Sequence, residues 1–187
     1  SLTVFKYPEI YYTVQTQRDY ALECATRIFV INEVCAFIID TAIEENVDPL
    51  EVLAYIKNEN PKLNPNAVGK NIKYEKVWNK KLKRFCIKEK VLSEDKGIGQ
   101  LNSKYVDVFV DKYWYEKEDF DVFNYEHNIK VSIRLYKDLR QRLHYPYMAT
   151  MAYNAGIGSV LRNEIPEVTI KHYLKNWIKN MDKMRKT

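Results

Sequence analysis

Apolar side chains recur at mixed spacings of three and four from about residue 17 to residue 45. This spacing predicts one long buried helix or two abutting ones. The residues that carry it are Ala21, Cys24, Ile28, Ile31, Cys35, Ile38, Ile39 and Ala42. Asp48, Pro49 and Glu51 match an N-cap, a proline at the first helical position and the Glu of a capping box, so a second helix should begin at Pro49. It should end before Pro61, because the residue that precedes a proline is disfavoured in the α region.

Helical patterns return in the second half of the chain, after a short stretch with strand-like character. The runs at residues 77–78 and 84–87 predict a small β element near residues 72 to 92. Apolar stripes with helical spacing predict helices near residues 102–115, 126–143, 147–153 and 169–184. The sequence therefore predicts a mainly α fold with a small β insertion.

The organisation of the chain indicates one domain over residues 1–187. It holds only 5 Gly and 6 Pro, and it has neither an internal repeat nor a low-complexity stretch that would mark a linker. Its most apolar segment, from Ile28 to Ile39, is interrupted by Asn32 and Glu33. That segment is shorter than the roughly 20 residues that a helix needs to cross a bilayer. We therefore expect no transmembrane segment.

Positive charge is concentrated between Lys70 and Lys90. This segment holds nine Lys and Arg against Glu75 and Glu89, whereas the whole chain has a net charge of +5. Such a segment suits a polyanion (nucleic acid, an anionic cell-wall polymer or a lipid surface), and the alternative is a solvated, lysine-rich hairpin. No nucleic-acid-binding motif accompanies the charge, so we expect no nucleic-acid partner.

The cysteines and histidines show no metal-ligand spacing. They are Cys24, Cys35, Cys86, His127, His144 and His172. If Cys24 and Cys35 share one helix, they lie about 16 Å apart, too far for a disulfide. We therefore predict no metal site, no disulfide framework and no organic cofactor.

One carboxylic acid has an unusual predicted environment. Glu59 ends the helix that begins at Pro49, and the apolar residues seven, four and three positions before it share its face. Burial and the negative end of the helix dipole both disfavour ionisation, so the pKa of Glu59 should be raised. A protonated carboxyl near neutral pH can protonate a glycosidic oxygen. The alternative is a Glu that reaches solvent at a helix end.

Four motifs follow one another along the chain. They are FIIDTAIEENVDPLEVLAYIKNENPKLNPNAV (Phe37 to Val68), GIGQL (Gly97 to Leu101), Glu126 with Asn128 and Ile129, and AYNAGIGSV (Ala152 to Val160). Together they resemble the soluble lytic transglycosylase and goose-type lysozyme-like family. The resemblance covers about residues 37 to 177 and leaves residues 1–36 as a predicted N-terminal helical extension. It implies a lysozyme-like helical (α+β) domain with a saccharide cleft.

The resemblance also assigns roles to particular residues. It implies Glu59 as catalytic acid and base, Gln100 as a polar group that lines the cleft, and Tyr153 with Asn154 as the pair flanking the scissile sugar. Further substrate contacts are implied for Asn60, Tyr105, Glu126 and Tyr173. The chain departs from the family pattern at several places. Asn60 replaces the usual Ser, Ser132 the usual Gly, and Thr169 a frequent Glu; the Leu135, Tyr136 pair reverses the usual order, and the gap between Glu59 and Gln100 is longer.

The function that the resemblance implies is a peptidoglycan lytic transglycosylase. It would cleave the β-1,4 bond between N-acetylmuramic acid and N-acetylglucosamine, with a 1,6-anhydro product and a single catalytic Glu. One alternative is a goose-type hydrolase of the same bond, in which Glu94 or Asp95 positions a water; another is a non-catalytic wall-binding or assembly module. The implied location is the cell envelope, periplasm or extracellular space. The expected partners are peptidoglycan glycan strands, together with anionic wall polymers bound through Lys70 to Lys90.

Overall fold

A computed structural model describes residues 5–7 and 10–186, with side chains described from Thr13 onward. Its helices are α1 (Val14–Ala25), α2 (Glu33–Glu44), α3 (Pro49–Glu59), α4 (Val106–Tyr113), α5 (Tyr125–Leu143), α6 (Pro146–Ala155), α7 (Ile157–Leu161) and α8 (Lys175–Arg185), and a π-helical turn, Thr169–Leu174, precedes α8. Its strands are β1 (Phe5–Tyr7), β2 (Ile10–Tyr12), β3 (Val68–Asn79), β4 (Arg84–Lys96) and β5 (Leu101–Asn102). The predicted mainly α fold with a small β element is confirmed.

Helix α3 lies at the centre of the core. Its residues 52 to 56 are fully buried on every side, since α1, α2 and α8 all pack against it. A helix that is apolar all round is stable only when other elements surround it, and α3 meets that condition. The position of its last residue, Glu59, is therefore fixed by the packing of α3 against these three helices.

The predicted stripe of α5 forms the second wall of the core. The residues of that stripe are Ile129, Ser132, Ile133, Tyr136, Leu139 and Leu143, and every one is buried. Helix α5 packs against α2, α4 and α6. Trp177 and Met181 of α8 close the core from the other side, as the sequence pattern predicts.

Strands β3, β4 and β5 form an antiparallel sheet in that order. Strands β3 and β4 make one long hairpin, with an irregularity in the pairing between Asn71 and Ile72. Strand β5 pairs only with the end of β4, through Asp95 with Asn102 and Lys96 with Leu101. The hairpin is thus anchored at its base, next to the GIGQL segment, and its far end extends away. The sheet is longer than the predicted element near residues 72 to 92.

The predicted N-terminal helical extension, residues 1–36, contains helix α1 but also a short pair of strands. Residues 5–7 and 10–12 pair as the antiparallel strands β1 and β2, and the aromatic and β-branched residues there favour a strand. The segment from about residue 17 to 45 forms two helices rather than one, with a break between Ala25 and Glu33. Cys24 and Cys35 therefore lie on different helices, where both are buried as free thiols.

Two further predicted helices are altered in the structure. The helix expected over residues 102–115 shortens to α4, because Leu101–Asn102 forms strand β5 and the side chain of Asn102 accepts a bond from the backbone N–H of Lys104. The terminal helix begins with the π-helical turn rather than with regular α geometry. None of the helices in the described residues has the length and apolar character needed to span a bilayer.

Candidate active site

Local sequence signals place Glu59 at the end of α3. The Asp48 side chain caps the first turn by accepting the Leu50 backbone N–H at 2.9 Å, and Pro49 occupies the first helical position. Glu51 does not complete the predicted capping box, because its buried carboxylate accepts bonds from Tyr136 and Arg140, both at 2.8 Å. The backbone leaves the α region at Asn60, as expected before a proline.

Asn60 ties the end of α3 to the GIGQL segment. Its amide nitrogen donates to the carbonyl oxygens of Asn64 at 2.8 Å and Gly97 at 3.1 Å, and its amide oxygen accepts the Asn64 N–H at 3.0 Å. Both donors of this buried amide are therefore used by the backbone. The structure gives Asn60 a positioning role beside Glu59, and direct contact with a substrate stays a prediction.

The GIGQL segment is a tight turn held from both sides. Gly97 adopts a positive φ of 76°, and an added Cβ there would lie 2.2 Å from the Asn128 amide nitrogen. The Gln100 amide donates to the carbonyl oxygens of Gly97 at 2.9 Å and Ala67 at 3.2 Å. Both amide donors of Gln100 are thus used by backbone carbonyls, one in the turn and one at Ala67, which leaves its amide oxygen for a ligand.

Two tyrosines and Ser132 form a buried hydrogen-bond chain beside this turn. Ser132 Oγ lies 2.7 Å from the Tyr55 hydroxyl and 2.8 Å from the Tyr153 hydroxyl, and Tyr153 donates to the carbonyl oxygen of Gly99. Since each hydroxyl has one proton, Ser132 donates to Tyr153 and Tyr55 donates to Ser132. The rings of Tyr55 and Tyr153 lie 4.3 Å apart. The hydroxyl proton of Tyr153 is therefore already used within the protein, and contact between this residue and a sugar stays a prediction.

Tyr173 approaches Glu59 from the π-helical turn. Asn58, the residue before Glu59, donates to the Tyr173 carbonyl oxygen at 3.0 Å and so fixes the turn against α3. The Tyr173 hydroxyl is buried, and no hydrogen bond of ordinary geometry satisfies it among the described residues. Its interaction with Glu59 is nevertheless close enough to lower the pKa of that acid. Tyr173 therefore faces the acid itself, and its direct contact with a substrate stays a prediction.

Asn154 lies at the end of α6 and is exposed. Its amide oxygen accepts a bond at 2.8 Å from Thr169, whose side chain is buried. With the oxygen fixed in this way, the Asn154 amide nitrogen is the group left for a ligand. Thr169, which departs from the family pattern, therefore has a definite role in orienting a predicted site residue.

The environment of Glu59 makes it a weak acid at neutral pH. Burial raises its pKa from 4.5 to about 8, the Tyr173 hydroxyl opposes this shift, and the negative charge of Asp95 adds to it. The residue as a whole is half-buried, and surrounding protein atoms keep water from the carboxyl group. Burial, followed by the charge of Glu59, in turn raises the pKa of Tyr173. The site holds a proton at Glu59 at neutral pH.

Asp95 is the second carboxylate of the site and lies at the base of β4. It accepts bonds from the side-chain amides of Asn102 at 2.8 Å and Asn71 at 3.1 Å. Asp95 is one of the two acids that the sequence predicts as water-positioning residues in a hydrolase. The other, Glu94, does not act on the pKa of Glu59.

Some predicted residues are not joined to this site. Tyr105 and Glu126 are exposed, and no hydrogen bond or ring contact in the described part of the chain links either side chain to Glu59 or to the residues around it.

A cavity of about 760 Å³ lies at the other end of α3, beside Asp48 and Arg140. In the residues that the structure describes, no group of three His, Cys, Asp or Glu side chains is suited to a metal ion. The absence of a metal or cofactor stays a prediction.

Sequence reasoning gave no positioning role to Ser132, Asn58, Asn128 or Thr169. Asn128 accepts the Gly99 N–H at 2.8 Å and donates to the carbonyl oxygens of Lys96 and Val122, both at 2.9 Å. One signal could have revealed these residues: each is a polar side chain on a predicted helix or next to a motif. Such a residue, when buried, must find hydrogen-bond partners.

A model of one protein family, described as the transglycosylase SLT domain, matches residues 37–176. The chain belongs to this family. The match spans α2 to the first residues of α8, so it contains Glu59, the tyrosines and the π-helical turn. No curated protein and no solved structure matches the chain.

Membership of the SLT family fixes the general class of fold and function. The fold is lysozyme-like and mainly α. SLT domains are generally lytic transglycosylases that act on the glycan strands of peptidoglycan, and they are typically associated with the cell envelope.

Proposed function

We propose that this protein is a peptidoglycan lytic transglycosylase in which Glu59 is the single catalytic acid and base. The bond cleaved is the β-1,4 linkage between N-acetylmuramic acid and N-acetylglucosamine. The observation that carries the proposal is the pKa of Glu59, raised to about 8 in a site that belongs to an SLT domain. An acid with this pKa is protonated at neutral pH and can give its proton to a leaving oxygen.

The first step is proton transfer from Glu59 to the glycosidic oxygen. The bond to C1 of the muramoyl sugar breaks as the leaving oxygen takes the proton, and positive charge develops at that sugar. Negative charge develops on Glu59, where the Tyr173 hydroxyl stabilises the carboxylate. The free Asn154 amide nitrogen and the ring of Tyr153 hold the sugar on either side.

The second step uses Glu59 as a base. Its carboxylate takes the proton of the C6 hydroxyl of the same sugar, and that oxygen bonds to C1 to close the 1,6-anhydro ring. The proton lost in the first step is thereby regained, so the enzyme returns to its starting state. Because the substrate supplies the nucleophile, no second carboxylate is needed, in contrast to the usual pair of glycosidase carboxylates.

Hydrolysis of the same bond is the second candidate, and Asp95 is the observation that favours it. This carboxylate is near enough for its charge to raise the pKa of Glu59, and bonds from Asn71 and Asn102 fix its orientation. An inverting hydrolase needs such a second carboxylate to activate water. We place the transglycosylase first, because the family is generally of that class.

The products distinguish the two reactions. Purified peptidoglycan is digested in water enriched in a heavy oxygen isotope, and the fragments are analysed by mass spectrometry. We expect anhydro ends that are lighter by one water and carry no label. Labelled reducing ends would instead assign hydrolysis, and Asp95→Asn should then abolish turnover.

The role of Glu59 is tested by Glu59→Gln, which keeps the shape of the side chain but cannot donate the proton. We expect turnover to fall by about 10²- to 10⁴-fold. Glu44→Gln, the same change at an exposed residue of α2, is the control and should leave turnover unchanged. If Glu59→Gln retains full turnover, a different residue is the acid, and if no turnover occurs in the native chain, the protein is a non-catalytic wall-binding module.

The proposed location is the cell envelope, in contact with glycan strands, as is typical of the family. The sequence also predicts that the basic segment binds an anionic wall polymer. In the structure most of that segment forms an exposed hairpin with one apolar face, and this arrangement favours a different anionic partner.

A further inference from the structure

The part of the β3–β4 hairpin from Ile72 to Val91, here called the arm, projects from the body of the protein. Within the described residues, β3 packs mainly on β4, and no helix makes a substantial contact with either strand. From Ile72 to the tip at Asn79 the arm extends about 25 Å at the usual rise of a strand. A two-stranded hairpin with no third layer is only marginally stable in water. The arm therefore presents both of its faces to its surroundings.

One face of the arm is apolar and exposed. Cross-strand pairs share a face, and alternate pairs along the ladder lie on the same side. The register places Ile72 with Val91, Tyr74 with Glu89, Lys76 with Ile87, and Trp78 with Phe85 on this face. The rings of Trp78 and Phe85 lie 5.2 Å apart, and Tyr74 and Ile87 are 63% and 72% exposed. Large apolar side chains in one exposed patch mark an interaction surface.

The opposite face and the tip are basic. Lys73 pairs with Lys90 and Glu75 pairs with Lys88 on that face. The tip adds Lys80, Lys81, Lys83 and Arg84, with an exposed Leu82 among them. The arm is consequently amphipathic, with aromatic and aliphatic groups on one side and cations on the other side and at the end.

We propose that the arm binds an anionic lipid surface. A soluble polyanion would pair with the lysines but leave the apolar face in water. A second copy of this chain would cover the apolar face but would bring two strongly basic arms together, and their charges repel. An anionic bilayer satisfies both features, because headgroups attract Lys and Arg while Trp and Tyr rings favour the boundary between water and hydrocarbon.

The arm lies along the bilayer surface and does not cross it. The outer edges of a two-stranded ribbon carry unpaired backbone N–H and C=O groups, which cannot enter hydrocarbon without losing water. Its apolar face enters the interface, and its lysines reach the headgroups and the water above them. This inference goes beyond the chemistry proposed for Glu59 and does not depend on it.

The test is sedimentation of the protein with lipid vesicles, with no turnover measured. One set of vesicles contains equal parts of phosphatidylglycerol and phosphatidylcholine, and the other contains phosphatidylcholine alone. We expect binding to the anionic vesicles that weakens as salt is added, because screening shortens the reach of the lysine charges. We expect little binding to the neutral vesicles.

Two multiple-substitution variants distinguish the contribution of the apolar face from that of the basic tip. Tyr74→Thr with Ile87→Thr removes apolar surface and retains residues suited to a strand; we expect binding to anionic vesicles to fall by about tenfold or more. Val77→Thr, on the opposite face, is the matched control and should bind like the native protein. Replacing Lys80, Lys81, Lys83 and Arg84 together by Gln should remove most of the binding and its salt dependence. Hydrogen exchange of the arm amides shows whether each variant keeps the hairpin.

Trp78 gives a measurement that does not depend on those variants. Its fluorescence should shift to shorter wavelength on anionic vesicles, and brominated lipids should quench it. Trp78→Phe should abolish both signals.

Three results would overturn the proposal. The first is no binding to anionic vesicles at low salt. The second is native binding by the Tyr74→Thr, Ile87→Thr variant together with binding to purified sacculi, which would assign the arm to a wall polymer. The third is a dimer in analytical ultracentrifugation that this variant abolishes, which would assign the apolar face to a second copy.

Discussion

Glu59 combines two requirements that are difficult to meet in one residue. For the proposed reaction it must hold a proton at neutral pH, which burial ensures, and it must also reach the substrate from a half-buried position. Its position in the last turn of α3, on an apolar face, is visible in the sequence. The groups that adjust it, Asp95 and Tyr173, are 36 and 114 positions away in the chain. Only the fold brings those groups to the acid.

The pH dependence of activity should report the proton on Glu59. Since the protonated acid is the active form, turnover should fall as the pH rises through about 8. Asp95→Asn removes a negative charge that raises this pKa, so the alkaline limb should move to lower pH. We expect this limb to shift by about one pKa unit. Rates on a short, soluble substrate across pH 5 to 10 provide the measurement. A limb that stays in place would remove Asp95 from the site.

The stability of the protein should depend on pH for the same reason. The pKa of Glu59 is about 8 in the folded state, against 4.5 without the fold, so between these values the folded state holds a proton that the unfolded chain has lost. The contribution of Glu59 to stability is greatest at low pH and declines as the pH rises through this window. Glu59→Gln should flatten the decline and increase the free energy of unfolding at pH 8 by about 1–3 kcal/mol. Denaturant unfolding at pH 5 and pH 8 tests this, and an equal difference at both values would contradict it.

Three of the residues that depart from the family pattern each have a structural partner. Asn60 bonds to the backbone of Asn64 and Gly97, Ser132 joins two tyrosine hydroxyls, and Thr169 orients Asn154. The sequence shows that these residues are unusual but not what they contact. A side-chain hydrogen bond over many tens of residues depends on packing that no local pattern specifies.

At the scale of elements, the start of α3 and the stripe of α5 were predictable because capping chemistry and helical periodicity are local. The shortening of α4 was not predictable from such local signals. Strand β5 exists only because β4 is beside it, and the Asn102 side chain fixes the turn that follows. The separation of α1 from α2 also lay outside the periodic signal, which continues through the break.

The packing of the GIGQL turn against α5 gives a prediction at this scale. A Cβ on Gly99 would lie 2.5 Å from Ser132 Oγ and 2.7 Å from Ser132 Cβ, so Gly99→Ala should destabilise the protein by about 1–3 kcal/mol. Ser132→Gly removes both atoms. The double variant should therefore lose less free energy of unfolding than the sum of the losses in the two single variants.

The control for this cycle is Gly158→Ala. Its Cβ would meet only the flexible end of Arg162, and we expect stability to be unchanged or slightly increased. Thermal unfolding of the four variants provides the measurement. Additive losses would show that residues 99 and 132 do not share this contact.

For the whole molecule, the arm is separable from the domain that carries the acid. Replacing residues 73–90 by Asn-Gly, which favours a tight hairpin turn, should leave the core intact, because the base of the hairpin keeps its bonds to β5. We expect the free energy of unfolding to change by less than about 1 kcal/mol. Since a change of that size moves Tm by about 2–4 °C, the shift in Tm should be smaller than this. Turnover of a short soluble substrate should be retained. Loss of that turnover in a folded variant would place the arm within the catalytic machinery.

The π-helical turn before α8 changes the direction in which the side chains on either side of it point. Thr169 and Trp177 are both buried, yet eight residues of regular α-helix at 100° each would point them about 80° apart. A π-helical turn takes up one extra residue, so this eight-residue interval acts nearly like one of seven, which closes to within about 20°. One segment can thus place Thr169, which bonds to Asn154, and Trp177, which packs in the core, on the same side. Tyr173 lies midway between them in the chain and faces Glu59. Deleting one residue here should therefore restore regular α-helical winding while Thr169 and Trp177 keep their shared side.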